Sequence, residues 1–206
     1  MPHLLTISVS PRDATSWSRR TLDRFVTEYQ AKFSDATVHN REVYDLPHLS
    51  FDALVAGRTP QEDHGPEQAA AFALQDEIVN EIERADHLVI ATPMYNWSAP
   101  SALKAWVDHV VNRRTYYGAP SVFAGKEVTI IISSGGLYSE GEKAVADGLR
   151  PWLRIFFEQL GFSNLHFINC DPTGPMDAGV VDPEDPASAW SKARRQVSER
   201  IATTPR

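Results

Sequence analysis

The sequence predicts an α/β fold in which a five-stranded parallel sheet carries helices on both faces. Short apolar runs alternate along the chain with segments whose apolar residues recur at helical spacing, five of each. The run Leu4-Leu5-Thr6-Ile7-Ser8-Val9 is mostly apolar, and Val128-Thr129-Ile130-Ile131-Ile132 has the β-branched density of a central strand. Such runs mark strands covered on both faces of a parallel sheet.

The elements follow in order. The first strand ends at Ser10-Pro11, and Leu22, Phe25, Val26, Tyr29 and Phe33 then mark a helix with Thr15, Ser16 and Ser18 available as caps. Residues 37–46 alternate weakly and predict an edge strand. Residues 47–66, with Pro47, Gly57, Pro60, Gly65 and Pro66, predict a long loop of a kind that is often functional. Ala71, Leu74, Ile78, Ile82 and Ala85 form a second helix, and residues 86–91 a third strand. The next helix is expected to be capped by Ser98, with Pro100 in its first turn and Leu103, Trp106, Val107, Val110 and Val111 inward. After the strand at 128–132, Leu149, Trp152, Leu153, Phe156 and Leu160 give a helix stopped by Gly161, and residues 165–168 a fifth strand. Pro183 and Pro186 introduce a last helix with Ala189, Trp190, Ala193, Val197 and Ile201 on its buried face.

Length and composition narrow the possibilities. The 206 residues suit a single domain over 1–206 with a core of its own. Twenty basic against 27 acidic residues, a formal charge of −7 without long single-sign runs, argue against a nucleic-acid partner. The lone Cys170 excludes an internal disulfide framework and a cysteine-based zinc site, and points to a reducing cytoplasm. No stretch approaches the ~20 apolar residues that a bilayer requires, so no membrane association is expected.

In an open parallel sheet, ligands bind beyond the carboxyl ends of the strands, and three loops there carry unusual chemistry. The first holds Ser10, Ser16, Trp17 and Ser18, hydroxyls and amides at a helix N-terminus, where the dipole favours an anion. It contains no glycine, which removes both the GxGxxG fingerprint and the Walker A loop and leaves two readings, a monophosphate cradle or simple helix capping. The second, with Met94, Tyr95, Asn96 and Trp97, suits the border of a flat heterocycle, or a packed surface turn. The third, Ser133-Ser134-Gly135-Gly136, lets a backbone approach a ligand closely, or merely connects. One ligand at the strand ends would touch all three.

Pro93-Met94-Tyr95-Asn96, continued by Pro100-Ser101-Ala102-Leu103-Lys104-Ala105-Trp106-Val107-Asp108, resembles the FMN-dependent NADH azoreductases and NADH:quinone oxidoreductases, and the likeness runs over nearly the whole chain. It implies a flavodoxin-like three-layer sandwich with strand order 2-1-3-4-5 and bound FMN. It further implies NADH or NADPH as donor, a quinone or azo compound as acceptor, ping-pong transfer and a homodimer. Ser10, Ser16 and Ser18 match the family's phosphate contacts. Met94, Tyr95, Asn96 and Trp97 match the loop around the isoalloxazine ring, and Ser133, Gly135 and Gly136 the loop at its pyrimidine edge. The resemblance implies partner aromatics closing the slot, for which Trp97, Tyr116 and Phe123 are the candidates.

Some positions depart from that pattern. Ser134 stands where arginine is common, and Tyr138 where histidine is common, which makes Tyr138 a candidate substrate contact. Residues 113–126 form a shorter excursion, and Asn169-Cys170-Asp171-Pro172 replaces a glutamate-glycine motif. Arg58 is a candidate for an anion across a dimer interface. The seven histidines show no helical zinc spacing, no GxSxG elbow occurs, and Glu140 and Glu142 read as a solvated acidic pair. Two other functions fit the same fold: a flavodoxin-type electron carrier that does not itself oxidise NADH, and a flavin reductase.

Overall fold

The computed structural model describes residues 1–117, 121–162 and 164–205. Strands β1 (His3–Ser8), β2 (Thr37–Glu42), β3 (His87–Pro93), β4 (Glu127–Ser133) and β5 (Asn164–Cys170) form one sheet in the order β2-β1-β3-β4-β5, every neighbouring pair parallel. β3 is buried along its whole length, as its unbroken apolar run requires. β2 lies at the edge and ends at Glu42, short of the expected Leu46. There the chain turns, the Val43 amide donating to the Ser8 carbonyl and the Leu46 amide to the Val43 carbonyl.

Helices α1 (Trp17–Lys32), α2 (Phe51–Arg58), α3 (Pro66–Arg84), α4 (Ser101–Val110), α5 (Arg150–Gln159), α6 (Gly174–Asp177) and α7 (Ala189–Thr203) complete the fold. Two cores share the sheet, because successive strand residues point to opposite faces. Leu5, Leu88, Ile90, Ile130 and Ile132 pack with α3, α4 and α5 around Ile78, Trp106 and Phe157. Leu4, Val89, Ala91 and Ile131 pack with α1 and α7 around Phe25, Tyr29 and Val197. Between α1 and α7 the Trp17 and Trp190 rings lie 5.9 Å apart, with the Arg20 guanidinium over both.

Three expectations are corrected here. Residues 47–66 are not a loop: they contain α2 and a 3-10 turn at Gln61–Asp63. The pattern hid α2 because its buried side is Ala53, Ala56 and Gly57, while Phe51, Leu54 and Val55 face outward. A Cβ at Gly57 would stand 2.6 Å from Oε1 of Gln75 and displace that amide, whose Nε2 donates to the Ala53 carbonyl at 2.6 Å. Ser98 does not cap α4, which begins after Pro100 with no side-chain cap. Phe123 is fully buried against Phe162 and packs in this chain's own core, so it presents nothing to a partner.

Burial pushes His87 and His166 below the ordinary histidine value. Both therefore stay neutral in the fold at pH values where the unfolded chain takes up protons, below about 6.5. Their contribution to stability is complete above that pH and declines as the medium is acidified. We expect the urea midpoint to fall between pH 8 and pH 5.5, and the fall to be smaller in His87→Gln. A slope unchanged in that variant would refute the burial account.

Candidate functional site

The parallel sheet brings the carboxyl ends of β1, β3, β4 and β5 to one rim, and the loops leaving them enclose a cleft of about 250 Å³ at the β1/β3 switch point. Three larger hollows, of about 510, 410 and 320 Å³, lie against α7, between α1 and the β1–β2 edge, and beside the amino end of β1, and hold none of the three loops.

The first wall is the turn into α1. Ser16 is the N-cap of this helix, its Oγ accepting from the Arg19 amide at 3.4 Å and pairing with Ser18 Oγ at 3.1 Å. Ser10 Oγ accepts from the Arg12 amide at 3.2 Å. All three serines are buried. The amides of Trp17 and Ser18 fall in the first helical turn, where a helix leaves N–H groups without carbonyl partners. Capping and cradle are thus compatible, for Ser16 caps the helix and also lines the cleft. Trp17 Nε1 donates to Asp177 at 2.7 Å, fastening α1 to α6 across the cleft floor.

The second wall is a tight turn. The Tyr95 amide donates to the Ser98 carbonyl at 3.1 Å and the Ser98 amide to the Tyr95 carbonyl at 2.9 Å, while Asn96 and Trp97 adopt φ of 48° and 63°. Asparagine tolerates this left-handed region; a tryptophan there carries strain of about 1–2 kcal/mol. Two contacts hold the turn. The Gly148 amide donates to the Trp97 carbonyl at 2.8 Å, so close that a Cβ on Gly148 would lie 2.9 Å from that oxygen. Trp97 Nε1 donates to the Tyr138 hydroxyl at 3.2 Å, although the Trp97 side chain remains largely in solvent.

The third wall is the 134–139 loop. The Met94 amide donates to the Ser133 carbonyl at 2.7 Å, joining the second and third walls. The Thr173 and Gly174 amides donate to the carbonyls of Ser134 and Gly135 at 2.9 and 3.0 Å. Among the described residues neither Gly135 nor Gly136 donates its own amide to a protein acceptor, and Gly136 lies under the Tyr138 ring.

Of the sequence-derived residues, Ser10, Ser16, Trp17, Met94, Tyr95, Ser133, Ser134 and Gly135 line the cleft. Ser18 stands behind Ser16, Asn96 and Trp97 at the tip of their turn, and Gly136 and Tyr138 at the rim beyond Gly135. Arg58 is not among the lining residues; its guanidinium lies over the Tyr117 ring. The sequence reading missed Arg12, Thr173 and Asp177, which complete the lining. Arg12, between two flagged serines, was the one that could have been found. It also left Asp171 without a role, and this buried carboxylate holds the 134–139 loop from behind.

Other chemistry has little footing. Burial pushes the Cys170 thiol up to about 12, so it stays protonated and unreactive at neutral pH. Among the described residues no group of His, Cys, Asp and Glu is arranged to hold a metal ion. Among them, too, no helix is long and apolar enough to cross a membrane.

Serine hydroxyls at the start of α1, an aromatic turn and unpartnered glycine amides thus meet at one switch point of a flavodoxin-like α/β fold. A family model described as a flavodoxin-like fold matches residues 2–201, and the chain belongs to that family. It is 35% identical over 184 residues to FMN-dependent NADH:quinone oxidoreductase 2 of Jannaschia sp. (strain CCS1), covering 87% of this chain and 90% of the relative. It is 40% identical over 174 residues to the FMN-dependent NADH:quinone oxidoreductase of Parafrankia sp. (strain EAN1pec), covering 82% of each. In fold it is similar to an FMN-dependent NADH-azoreductase from Bacillus anthracis str. Ames Ancestor solved in complex with FMN, with a TM-score of 0.80 over 98% of both chains and 22% identity.

If the left-handed Trp97 is strained, Trp97→Gly should leave stability unchanged or raise it by up to about 1 kcal/mol in urea unfolding. Loss of about 3–5 kcal/mol, as for a truncated core tryptophan, would show that the side chain is a packing element instead.

Proposed function

We propose that this protein is an FMN-dependent oxidoreductase that carries electrons from NADH or NADPH to quinones, and to azo compounds, acting as one unit over residues 1–206. The observation that carries the reading is the pairing, in one cleft, of a glycine-free serine cradle with the unpartnered amides of Gly135 and Gly136. A single terminal phosphate suits that cradle, whereas a dinucleotide needs glycines that let the backbone approach a pyrophosphate. The relatives' names add NADH and quinone as substrates of those proteins.

Bound FMN would supply the two-electron chemistry, accepting from nicotinamide and passing on to the acceptor. The chain's own residues bind and orient. Ser10, Ser16, Ser18 and the first-turn amides of α1 hold the phosphate, with Arg12 adding a positive charge at the opening. Met94, Tyr95, Asn96 and Trp97 border the ring, and Ser133, Ser134 and the Gly135 and Gly136 amides meet its polar edge, where negative charge develops on reduction. The Tyr138 hydroxyl accepts from Trp97 and keeps its own proton for a substrate oxygen or nitrogen.

The protein works as a cytoplasmic homodimer in this reading. Phe51, which is 76% exposed, joins Leu54 and Val55 on the outer side of α2, and Tyr116 and Tyr117 are exposed nearby, beside Arg58. A monomer gains nothing from such an apolar surface, and a second copy would cover it. Trp97 and Tyr116 remain the aromatics able to close a partner's slot. An electron carrier would not explain relatives named for NADH oxidation, and the rate with menadione against that with free FMN as acceptor separates a quinone reductase from a flavin reductase.

The purified protein should release FMN on heating, and recovery of FAD would contradict the cradle argument. Replacing Ser16 and Ser18 together by alanine should weaken FMN binding by about 1–3 kcal/mol per lost phosphate bond in fluorescence titration. Undiminished affinity would return both serines to helix capping alone.

One slot serving two flat substrates in turn requires nicotinamide to leave before quinone enters. Initial rates over a grid of NADH and menadione should therefore give parallel double-reciprocal lines, and anaerobic NADH alone should bleach the flavin. Intersecting lines without bleaching would favour a carrier that depends on a separate reductase.

A further inference from the structure

Behind the cleft, buried charges link the two loops that frame it. The Asp171 side chain, directly after β5, is 1% exposed. Its Oδ2 accepts from the amides of Tyr138 and Ser139 at 3.1 and 3.0 Å, and its Oδ1 from the Ser139 hydroxyl at 2.8 Å. Ser134 Oγ lies 3.4 Å from Oδ2 and donates to the Gly136 carbonyl at 2.9 Å. Every one of these groups belongs to the 134–139 loop.

The same carboxylate faces Arg150, whose Nη2 stands 3.5 Å from it. Arg150 is itself fixed, donating to Asn169 Oδ1 at 3.0 and 2.7 Å and pairing with Asp147 at 2.7 Å. Asp147 Oδ1 accepts from the amides of Leu149 and Arg150, and Gly148 between them donates to the Trp97 carbonyl. Trp97 reaches back to the Tyr138 hydroxyl and closes the circuit. One ring of contacts, buried at Asp171 and exposed at Trp97, thus runs from the Trp97 turn through Asp147, Arg150 and Asp171 to the loop bearing Gly135 and Gly136.

We propose that Asp171 is a positioning residue for the flavin edge: it clamps the 134–139 loop from behind, and with Arg150 sets the electrostatic field at the cleft wall. The proposal rests on the FMN reading above. Asp171 touches neither substrate nor cofactor. It fixes where the Gly135 and Gly136 amides lie, and its charge stands one side chain behind Ser134, which lines the cleft. A buried negative charge there opposes the gain of electrons in the cleft, and the Arg150 cation offsets it.

The signs of these effects give the test. Asp171→Asn removes one negative charge, so the midpoint potential of bound FMN should rise. Arg150→Met leaves Asp147 and Asp171 uncompensated, so the potential should fall, and the charge-balanced double variant should return close to the parent value. A residue serving only as packing would not produce opposite shifts that cancel. In the FMN-free protein, amide hydrogen exchange at Tyr138 and Ser139 should quicken at least tenfold in Asp171→Asn and in the double variant, while β3 keeps its protection.

Unchanged exchange at those two amides would overturn the clamp, and shifts of the same sign in the two single variants would overturn the field. If Asp171→Asn does not fold, exchange in the double variant decides the clamp. If the parent protein binds no FMN at all, the functional reading fails, and the exchange result still decides whether Asp171 holds the loop.

Discussion

With both faces of β3 and β4 sealed under helices, the only polar backbone the sheet can offer a ligand lies at its strand ends. Every strand runs in the same direction, so those ends gather at one rim, and the switch between β1 and β3 opens the rim into a cleft. The loops that leave the strands must either satisfy their own N–H and C=O groups or present them. Most are satisfied, as where Met94 meets the Ser133 carbonyl and Ser134 the Cys170 carbonyl. Among the described residues, the amides of Gly135 and Gly136 are among those that donate to no protein acceptor. The position of the site therefore follows from burial of the sheet.

The two loops beside the switch point are held in different ways. The Asn96 and Trp97 turn is kept in an unfavourable backbone region by contacts from Gly148 and Tyr138, so its shape depends on its neighbours. The 134–139 loop is unstrained at the backbone and is held by a buried carboxylate, an arrangement that tolerates charge only because donors and a cation surround it. Both restraints converge on Tyr138, which stands between the loops. Strain on one side and buried charge on the other give the cleft a defined outline without a metal or a disulfide.

The strands and the larger helices were legible because burial on a regular element leaves a periodic trace. Ile130, Ile131 and Ile132 form a β-branched run that a strand buried on both sides favours, and Leu22, Phe25 and Tyr29 recur at the spacing of one helix face. What escaped has no period. α2 turns alanines and a glycine inward, so its pattern is that of a loop. Phe123 looks like any loop aromatic, and its burial depends on Phe162 far along the chain. Asp171 is a single carboxylate whose partners are two amides, two serine hydroxyls and a distant arginine, a set with no spacing in the sequence. The serine cradle, the Met94 loop and the double glycine were visible because unusual residue types cluster there, while Arg12, Thr173 and Asp177 complete the lining through ordinary residues.

The inward alanines and glycine of α2 have a consequence for motion. Eight residues are too few for a helix to stand alone in water, and fixing each backbone costs about 1–2 kcal/mol of entropy. Against that, α2 sets two small side chains and the Gln75 bond to the Ala53 carbonyl, very little apolar area for its length. A segment so lightly held has low local stability, and its amides are expected to exchange at less cost than those of the sheet. Any surface that covers Phe51, Leu54 and Val55 would therefore supply the apolar burial that α2 lacks within its own chain.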